Sequence, residues 1–180
     1  MILIGKERHD YSRPNNQGYP IRGIISEEYL YLYNYDISLW PAGNPEIGYL
    51  DIDGSPTKTE ILNQFRSNTE DKYWNWSMGK RTSNEEFFNL KKDVECMNNL
   101  ASNIELQDLK LKMKSRMEIM LKDQKDPRMF GYGAIFNTYG YSNDQGWNYY
   151  ERFMNGEFTI EDTNWVNPSD LEKTPLKVKL

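Results

Sequence analysis

The residues best suited to chemistry lie close together near the start of the chain. They are Lys6, Glu7, Arg8, His9, Asp10, Arg13 and Arg22. Arginine presents a planar fork of N–H donors that fits sulfate, phosphate or carboxylate, and histidine changes its charge near neutral pH. The cluster predicts either an anion-binding site or a loop in which Glu7 and Asp10 neutralise the arginines. Composition alone favours neither.

The sequence has no motif of a self-contained active site. GxSxG, the phosphate-binding loop, GxGxxG, HExxH and CxxC are all missing. His9 is the single histidine, and no serine stands in a nucleophile-elbow context. The segment from Asp51 to Gly54 resembles the start of a calcium loop, but Leu62 stands where that loop needs an acidic residue. We therefore expect no catalytic residue, no cofactor and no metal ligand in this chain.

Composition excludes several classes of protein. The chain has 22 basic and 27 acidic residues and a net charge of −5, which argues against nucleic-acid binding. No apolar run approaches the roughly 18–20 residues that span a bilayer, and the first ten residues are too polar for a signal peptide. Aromatic residues make up 14% of the chain, which is untypical of intrinsic disorder.

Short apolar segments with a period of two predict the strands that must position the polar cluster. The clearest is the alternation of tyrosine and leucine from Tyr29 to Tyr35, which we pair with Ile21–Ile25 in an antiparallel hairpin. Residues 2–4 form a short apolar run that indicates the end of a strand, and residues 86–90 are predicted to form a short strand. The intervening segments are rich in proline, glycine and asparagine, so we expect a loop-rich domain.

One long helix is predicted over residues 103–124. Its apolar side chains follow helical spacing and form one face: Leu106, Leu109, Met113, Met117 and Met120. Such a methionine stripe is typical of core packing. A shorter helix should run from the Ser55-Pro56 cap to Phe65. The fold class expected is α+β, with a small antiparallel β-sheet and one long amphipathic α-helix packed on it.

Several segments resemble the C-terminal region of sulfatases. GKERHDYSRPNNQGYPIRGIISEEYLYLYNY is similar to a GxERH turn followed by YPxRxIR and a YLYIRNF strand in the heparan N-sulfatase (N-sulfoglucosamine sulfohydrolase)-like group of the alkaline-phosphatase superfamily. WPAGNPEIGYLDIDGSPTK resembles the RWPAGNPE…GSPTK segment of that group, and EEFFNLKKDVECMNNLA resembles EELYDLxxDPxExxNLA. DPRMFGYGAIFNTY resembles the stretch after the terminal helix. The likeness runs from Gly5 to about Phe153.

The resemblance implies a larger enzyme whose chemistry lies in an N-terminal domain. That domain would supply calcium and a formylglycine made from a CxPxR-type or SxPxR-type motif, neither of which occurs here. Cys96 is followed by Met-Asn-Asn and cannot serve. Val94 stands where the family usually has proline, and Asn89 where aspartate is usual. The chain is therefore expected to be a C-terminal fragment, a truncated product or half of a split gene, inactive alone and periplasmic or secreted.

As part of such an enzyme, the chain would help to hydrolyse sulfate esters or sulfamates of sulfated glycans, as in glycosaminoglycan degradation. Residues 1–160 would form the C-terminal subdomain, with 1–22 as the rim loop of the pocket and 161–180 as a polar tail. Arg8, His9 and Arg22 would lie nearest the sulfated saccharide, and Glu7 and Asp10 would orient them or bind sugar hydroxyls. Two alternatives stay open: a free-standing carbohydrate-binding module, and a purely structural or interaction domain.

Overall fold

The computed structural model describes residues 1–141, 146–163, 165–173 and 176, which group into two compact units. The first comprises Met1–Glu7, Pro20–Asp36 and Ser83–Tyr139 and is called the sheet unit here. The second comprises Arg8–Tyr19, Ile37–Thr82 and the described residues from 140 onward, and is called the loop unit. The units interleave along the chain. The division into a subdomain over 1–160 and a tail stays a prediction.

The sheet unit confirms the α+β class. Its four strands are β1 (Ile2–Lys6), β2 (Ile21–Ile25), β3 (Tyr29–Asn34) and β4 (Glu85–Asn89). They lie in the order β1-β2-β3-β4, and each neighbouring pair is antiparallel. The turn between β2 and β3 is closed by Ser26, whose hydroxyl accepts a hydrogen bond from the Tyr29 amide at 2.9 Å.

One helix, α3 (Gln107–Asp123), covers one face of this sheet. It begins four residues after Asn103 because Ile104–Leu106 first form a 3-10 turn, capped by the Asn103 side chain. The core between helix and sheet comes from both elements and consists mainly of Ile24, Tyr31, Phe87, Met113, Met117 and Leu121. The predicted methionine stripe is therefore core packing.

Two further 3-10 turns follow α3 in the sheet unit. They span Pro127–Phe130 and Gly133–Thr138. The Asp126 carboxylate caps the first turn by accepting a hydrogen bond from the Arg128 amide at 2.9 Å. Gly131 ends it with φ +80°, a left-handed conformation that glycine adopts without strain. These two caps define the ends of the Pro127–Phe130 turn.

The loop unit holds three helices among its described residues, α1 (Pro56–Arg66), α2 (Lys72–Ser77) and α4 (Tyr149–Met154). The side chain of Ser55 caps α1 as expected, accepting from the Lys58 amide at 3.1 Å. Shorter 3-10 turns lie at Pro14–Asn16, Pro45–Ile47, Ile160–Asp162 and Pro168–Asp170. Aromatic side chains supply much of the core, as in the Phe65–Trp74 stack with ring centroids 3.8 Å apart.

Buried cations hold the irregular segments of the loop unit in place. The Lys58 ammonium donates to the backbone oxygens of Gly48 at 2.8 Å and Ile52 at 2.6 Å, and lies 3.5 Å from an Asp170 carboxylate oxygen. Lys58 and Asp170 are both buried, and burial lowers the pKa of the lysine. The Pro45–Ile47 turn, the start of α1 and the Pro168–Asp170 turn are thus tied together.

In the described part of the chain, no helix is both long enough and apolar enough to cross a lipid bilayer.

Candidate functional site

The five residues expected at the pocket rim are divided between the two units. Glu7 and Arg22 belong to the sheet unit, whereas Arg8, His9 and Asp10 belong to the loop unit.

In the sheet unit, Arg22 lies at the centre of a buried ion-pair network. It stands on β2 between Gly5 of β1 and Tyr33 of β3, and its side chain is 8% exposed. Its Nη2 lies 2.5 Å from Glu7 Oε1 and its Nε lies 2.6 Å from Asp126 Oδ2. Its Nη1 donates to the backbone oxygen of Ile21 at 3.0 Å. All three nitrogens of the guanidinium are thus engaged within the protein.

A second arginine, Arg128, completes the network. It holds Glu7 in a bidentate pair, with Nε to Oε1 at 2.7 Å and Nη2 to Oε2 at 2.5 Å. Aromatic rings lie beside its guanidinium: Tyr35 at 5.0 Å and Phe136 at 5.5 Å from ring centroid to Cζ. Asp126 and Arg128 follow Glu7 by more than a hundred positions. Two signals pointed to their segment, the Asp-Pro stop after α3 and the sulfatase-like DPRMFG sequence, but neither indicated a contact with Glu7.

The four charged groups balance one another. Burial alone would lower the pKa of Arg22, but the hydrogen bonds and charges of Asp126 and Glu7 outweigh burial and raise it. Two guanidinium groups therefore face two carboxylates, and little positive charge is left for a ligand. For Glu7 and Arg22, this geometry favours the alternative of a neutralised loop, in which the two residues position the backbone at the end of β1.

In the loop unit, Arg8 is held by stacking and backbone contacts. Its Cζ lies 3.9 Å from the centroid of the Tyr141 ring. It donates hydrogen bonds to the backbone oxygens of Asn16 at 3.2 Å and Gly140 at 3.5 Å. Its neighbour His9 is exposed to solvent. The structure thus presents a positioned guanidinium next to an accessible imidazole.

Asp10 is partly buried beside a group of tyrosines. Its carboxylate accepts a hydrogen bond from the Tyr11 amide at 2.8 Å. Burial raises its pKa, and the charge of Asp51 adds to that rise, while the Tyr11 amide and His9 oppose it. The Tyr11 ring lies 5.4 Å from that of Tyr141. A carboxylate accepts hydrogen bonds, so Asp10 is suited to contact with a hydroxyl group.

The last charged residue of the sequence cluster, Arg13, has a structural role. It is fully buried, and its Nη2 lies 2.6 Å from an Asp51 carboxylate oxygen. Its Nε and Nη2 also donate to the backbone oxygens of Trp40 and Pro41 at 2.8 and 3.0 Å. Arg13 therefore fixes the WPAGNPE segment.

The described residues contain no group of three or more histidine, cysteine, aspartate and glutamate side chains arranged to hold a metal ion. At the Asp51–Gly54 turn, which resembles the start of a calcium loop, the Asp51 carboxylate accepts hydrogen bonds from Arg13 and from the Ser12 hydroxyl, each at 2.6 Å.

Comparison with known proteins gives no assignment: the chain matches no protein-family model and no curated protein.

Proposed function

We propose that this chain is the C-terminal part of a sulfatase that acts on sulfate esters or sulfamates of sulfated glycans. The observation that carries the proposal is the succession of sulfatase-like segments in one order: GKERH, WPAGNPE, GSPTK and DPRMF. Such a succession is far more specific than any one of them.

The packing of these segments supports the proposal, because their charged residues form ion pairs and hydrogen bonds with neighbouring segments. Glu7 of GKERH is clamped by Arg128 of DPRMF, and Lys58 of GSPTK binds backbone oxygens of the preceding segment. The carbonyls of Trp40 and Pro41 of WPAGNPE accept from Arg13. Residues of the sulfatase-like segments therefore also fix the loops of this chain.

Within the proposed enzyme, the rim residues have different roles. Arg8, His9 and Asp10 contact the sulfated saccharide, with Arg8 on anionic groups and Asp10 on hydroxyls. Glu7 and Arg22 position the end of β1 through their ion pairs and are positioning residues. The formylglycine nucleophile and calcium belong to the N-terminal catalytic domain, which is the proposed partner of this chain. We also propose, from the family resemblance, that the enzyme is exported and is either periplasmic or secreted.

The test is to sequence the DNA upstream of the Met1 codon and to assay the chain with and without the region found there. We expect an in-frame segment that encodes a CxPxR-type motif and aspartates for calcium. The chain alone should not hydrolyse an aryl sulfate, even with added calcium, because it lacks the nucleophile precursor. The chain joined to that segment should do so. An upstream region with no such segment, or turnover by the highly purified chain alone, would refute the proposal.

A further inference from the structure

Three aromatic side chains are exposed within ten residues of the sheet unit. Phe130 is 51% exposed, Tyr132 71% and Tyr139 53%. Isolated exposed aromatics are common on protein surfaces, but three on one short segment mark a candidate interaction site. They lie on and beside the two 3-10 turns that follow α3.

Side-chain contacts within the sheet unit hold the segment that carries these rings. The bidentate pair with Glu7 holds Arg128 at the start of the first turn. The Phe136 ring lies near two guanidinium groups, with its centroid 5.6 Å from Arg22 Cζ and 5.5 Å from Arg128 Cζ, and it meets the Tyr139 ring edge-on at 5.8 Å. A surface already ordered before binding loses less conformational entropy when a ligand arrives.

Tyr132 is the most exposed of the three rings. It stands between Gly131 and Gly133, so no bulky side chain comes directly before or after it in the sequence.

The helix α3, which precedes the aromatic turns, is rich in basic residues. Residues 110–139 contain seven lysine and arginine residues and three acidic residues, a net of +4, whereas the whole chain has a net charge of −5. Lys110 and Lys114 are paired with Glu85. Lys122 and Lys125 are exposed and lie at the end of α3, immediately before the aromatic turns.

We propose that Lys122, Lys125, Phe130, Tyr132 and Tyr139 form a surface that binds the sulfated pyranose chain of the substrate, beyond the rim residues. This inference rests on the proposed function for its ligand class. The C–H faces of pyranose rings carry slight positive charge and pack on the negative faces of aromatic rings. The lysine ammonium groups pair with sulfates. An acidic peptide would match the charge but offers no flat C–H faces for the three rings.

The experiment measures binding of a heparin-derived hexasaccharide to the chain by titration calorimetry. The double variant Phe130→Ala/Tyr132→Ala should bind about tenfold or more weakly. Tyr132→Phe keeps the ring and should bind like the original chain. The matched control is Tyr73→Ala/Trp76→Ala, which removes two aromatic side chains of the loop unit that are 47% and 48% exposed and should leave binding unchanged.

Charge and ligand class are tested in the same assay. Lys122→Gln/Lys125→Gln should weaken binding and reduce its dependence on salt, because exposed charges are screened by salt. Circular dichroism shows whether each variant is folded. The desulfated hexasaccharide and poly-glutamate should both bind more weakly than the sulfated sugar.

Four results would overturn the inference: no binding by the original chain, undiminished binding by the aromatic double variant, equal loss in the control pair, or equal binding of poly-glutamate. Failure here is distinct from failure of the proposed function, which is decided by the upstream sequence. A sulfatase domain upstream with no glycan binding by this surface would refute the inference alone.

Discussion

His9 and Arg22, grouped together by sequence, differ sharply in their surroundings. His9 is exposed, whereas Arg22 is buried and paired with Glu7 and Asp126. Removing a buried partner leaves charges uncompensated, which is strongly destabilising. Removing an exposed side chain costs little stability. The two substitutions to alanine should therefore separate recognition from positioning.

In a complete enzyme carrying this chain, His9→Ala should lower kcat/KM for a sulfated saccharide by about 10- to 150-fold, the effect of losing one charge-assisted hydrogen bond of about 1.5–3 kcal/mol. It should leave Tm unchanged and affect a small aryl sulfate less, because that substrate has no sugar to contact. Steady-state kinetics on both substrates, with Tm measured alongside, check this.

Arg22→Ala is the companion variant. It should lower Tm and reduce activity on both substrates alike, because it disturbs the end of β1 rather than a contact with the sugar. If His9→Ala shows that same pattern, then His9 has no part in recognition.

Glu85 offers a test of electrostatics that is independent of function. Burial acts to raise its pKa, but hydrogen bonds from Lys110 at 2.7 Å, Lys114 at 3.0 Å and Tyr31 at 2.8 Å outweigh burial and lower it to about 2. A carboxylate whose pKa falls on folding stabilises the protein above its unfolded pKa, ordinarily 4.5. That stability is lost as the pH falls from about 4.5 towards 2.

Glu85→Gln should therefore reduce the free energy of unfolding at pH 7 by about 1.5–3 kcal/mol, the usual contribution of hydrogen bonds to a charged group. The difference from the original chain should shrink below pH 4.5. Urea titrations of both proteins from pH 7 to pH 2.5 measure it. A difference that stays constant over this range would contradict the ion-pair account.

Among the helices and strands, those with a periodic apolar pattern could be predicted from the sequence, and those without one could not. The tyrosine–leucine alternation correctly predicted β3, and the cap at Ser55 correctly predicted the start of α1. The short helix α2 was not predicted, because its six residues show no apolar period. It is held by tertiary packing, with Trp74 buried against Phe65. Local pattern specifies an element only where the pattern itself decides which side is buried.

The charged residues near the start of the chain were likewise predictable only in part. Sequence identified the charged loop and the possibility that Glu7 neutralises an arginine nearby. It could not identify Arg128, because the contact with Glu7 closes a loop of more than a hundred residues. It also gave no sign that the chain passes from one unit to the other between Glu7 and Arg8.

The helix α3 should depend on its methionine stripe for stability. Met117 is 2% exposed and packs in the core under the sheet. Met117→Ala should reduce the free energy of unfolding by about 2–5 kcal/mol, since it removes buried surface and leaves a cavity. The matched control is Ile119→Ala on the same helix, because Ile119 is 58% exposed and should cost little beyond helix propensity. Equal losses in urea titrations of the two variants would mean that α3 does not pack through this face.

For the whole molecule, the sheet face opposite α3 is the feature with most bearing on solution behaviour. Leu3 packs towards the α3 core, so its neighbours on β1 point to the other face, where Ile2 is 68% and Ile4 39% exposed. The strand pairing places Ile2 in line with Ile25 and Leu30, both only partly buried, and with Phe88, which is 5% exposed, so the exposed part of this face lies towards β1. In addition, β1 is the first strand in the order of the sheet and, within the part of the chain that the structure describes, pairs with one strand, β2.

Exposed apolar side chains on an edge strand favour association, since a strand edge offers unpaired backbone groups next to apolar surface. We expect the purified chain to self-associate at micromolar concentration and to bind an apolar dye. Ile2→Lys/Ile4→Lys should abolish both, because charge on an edge strand opposes pairing with another edge. Light scattering with size-exclusion chromatography measures the association. Leu111→Lys is the control, since Leu111 is 52% exposed on α3 and away from β1 in sequence. A chain that stays monomeric without dye binding, or one whose association is relieved equally by Leu111→Lys, would show that this face does not drive association.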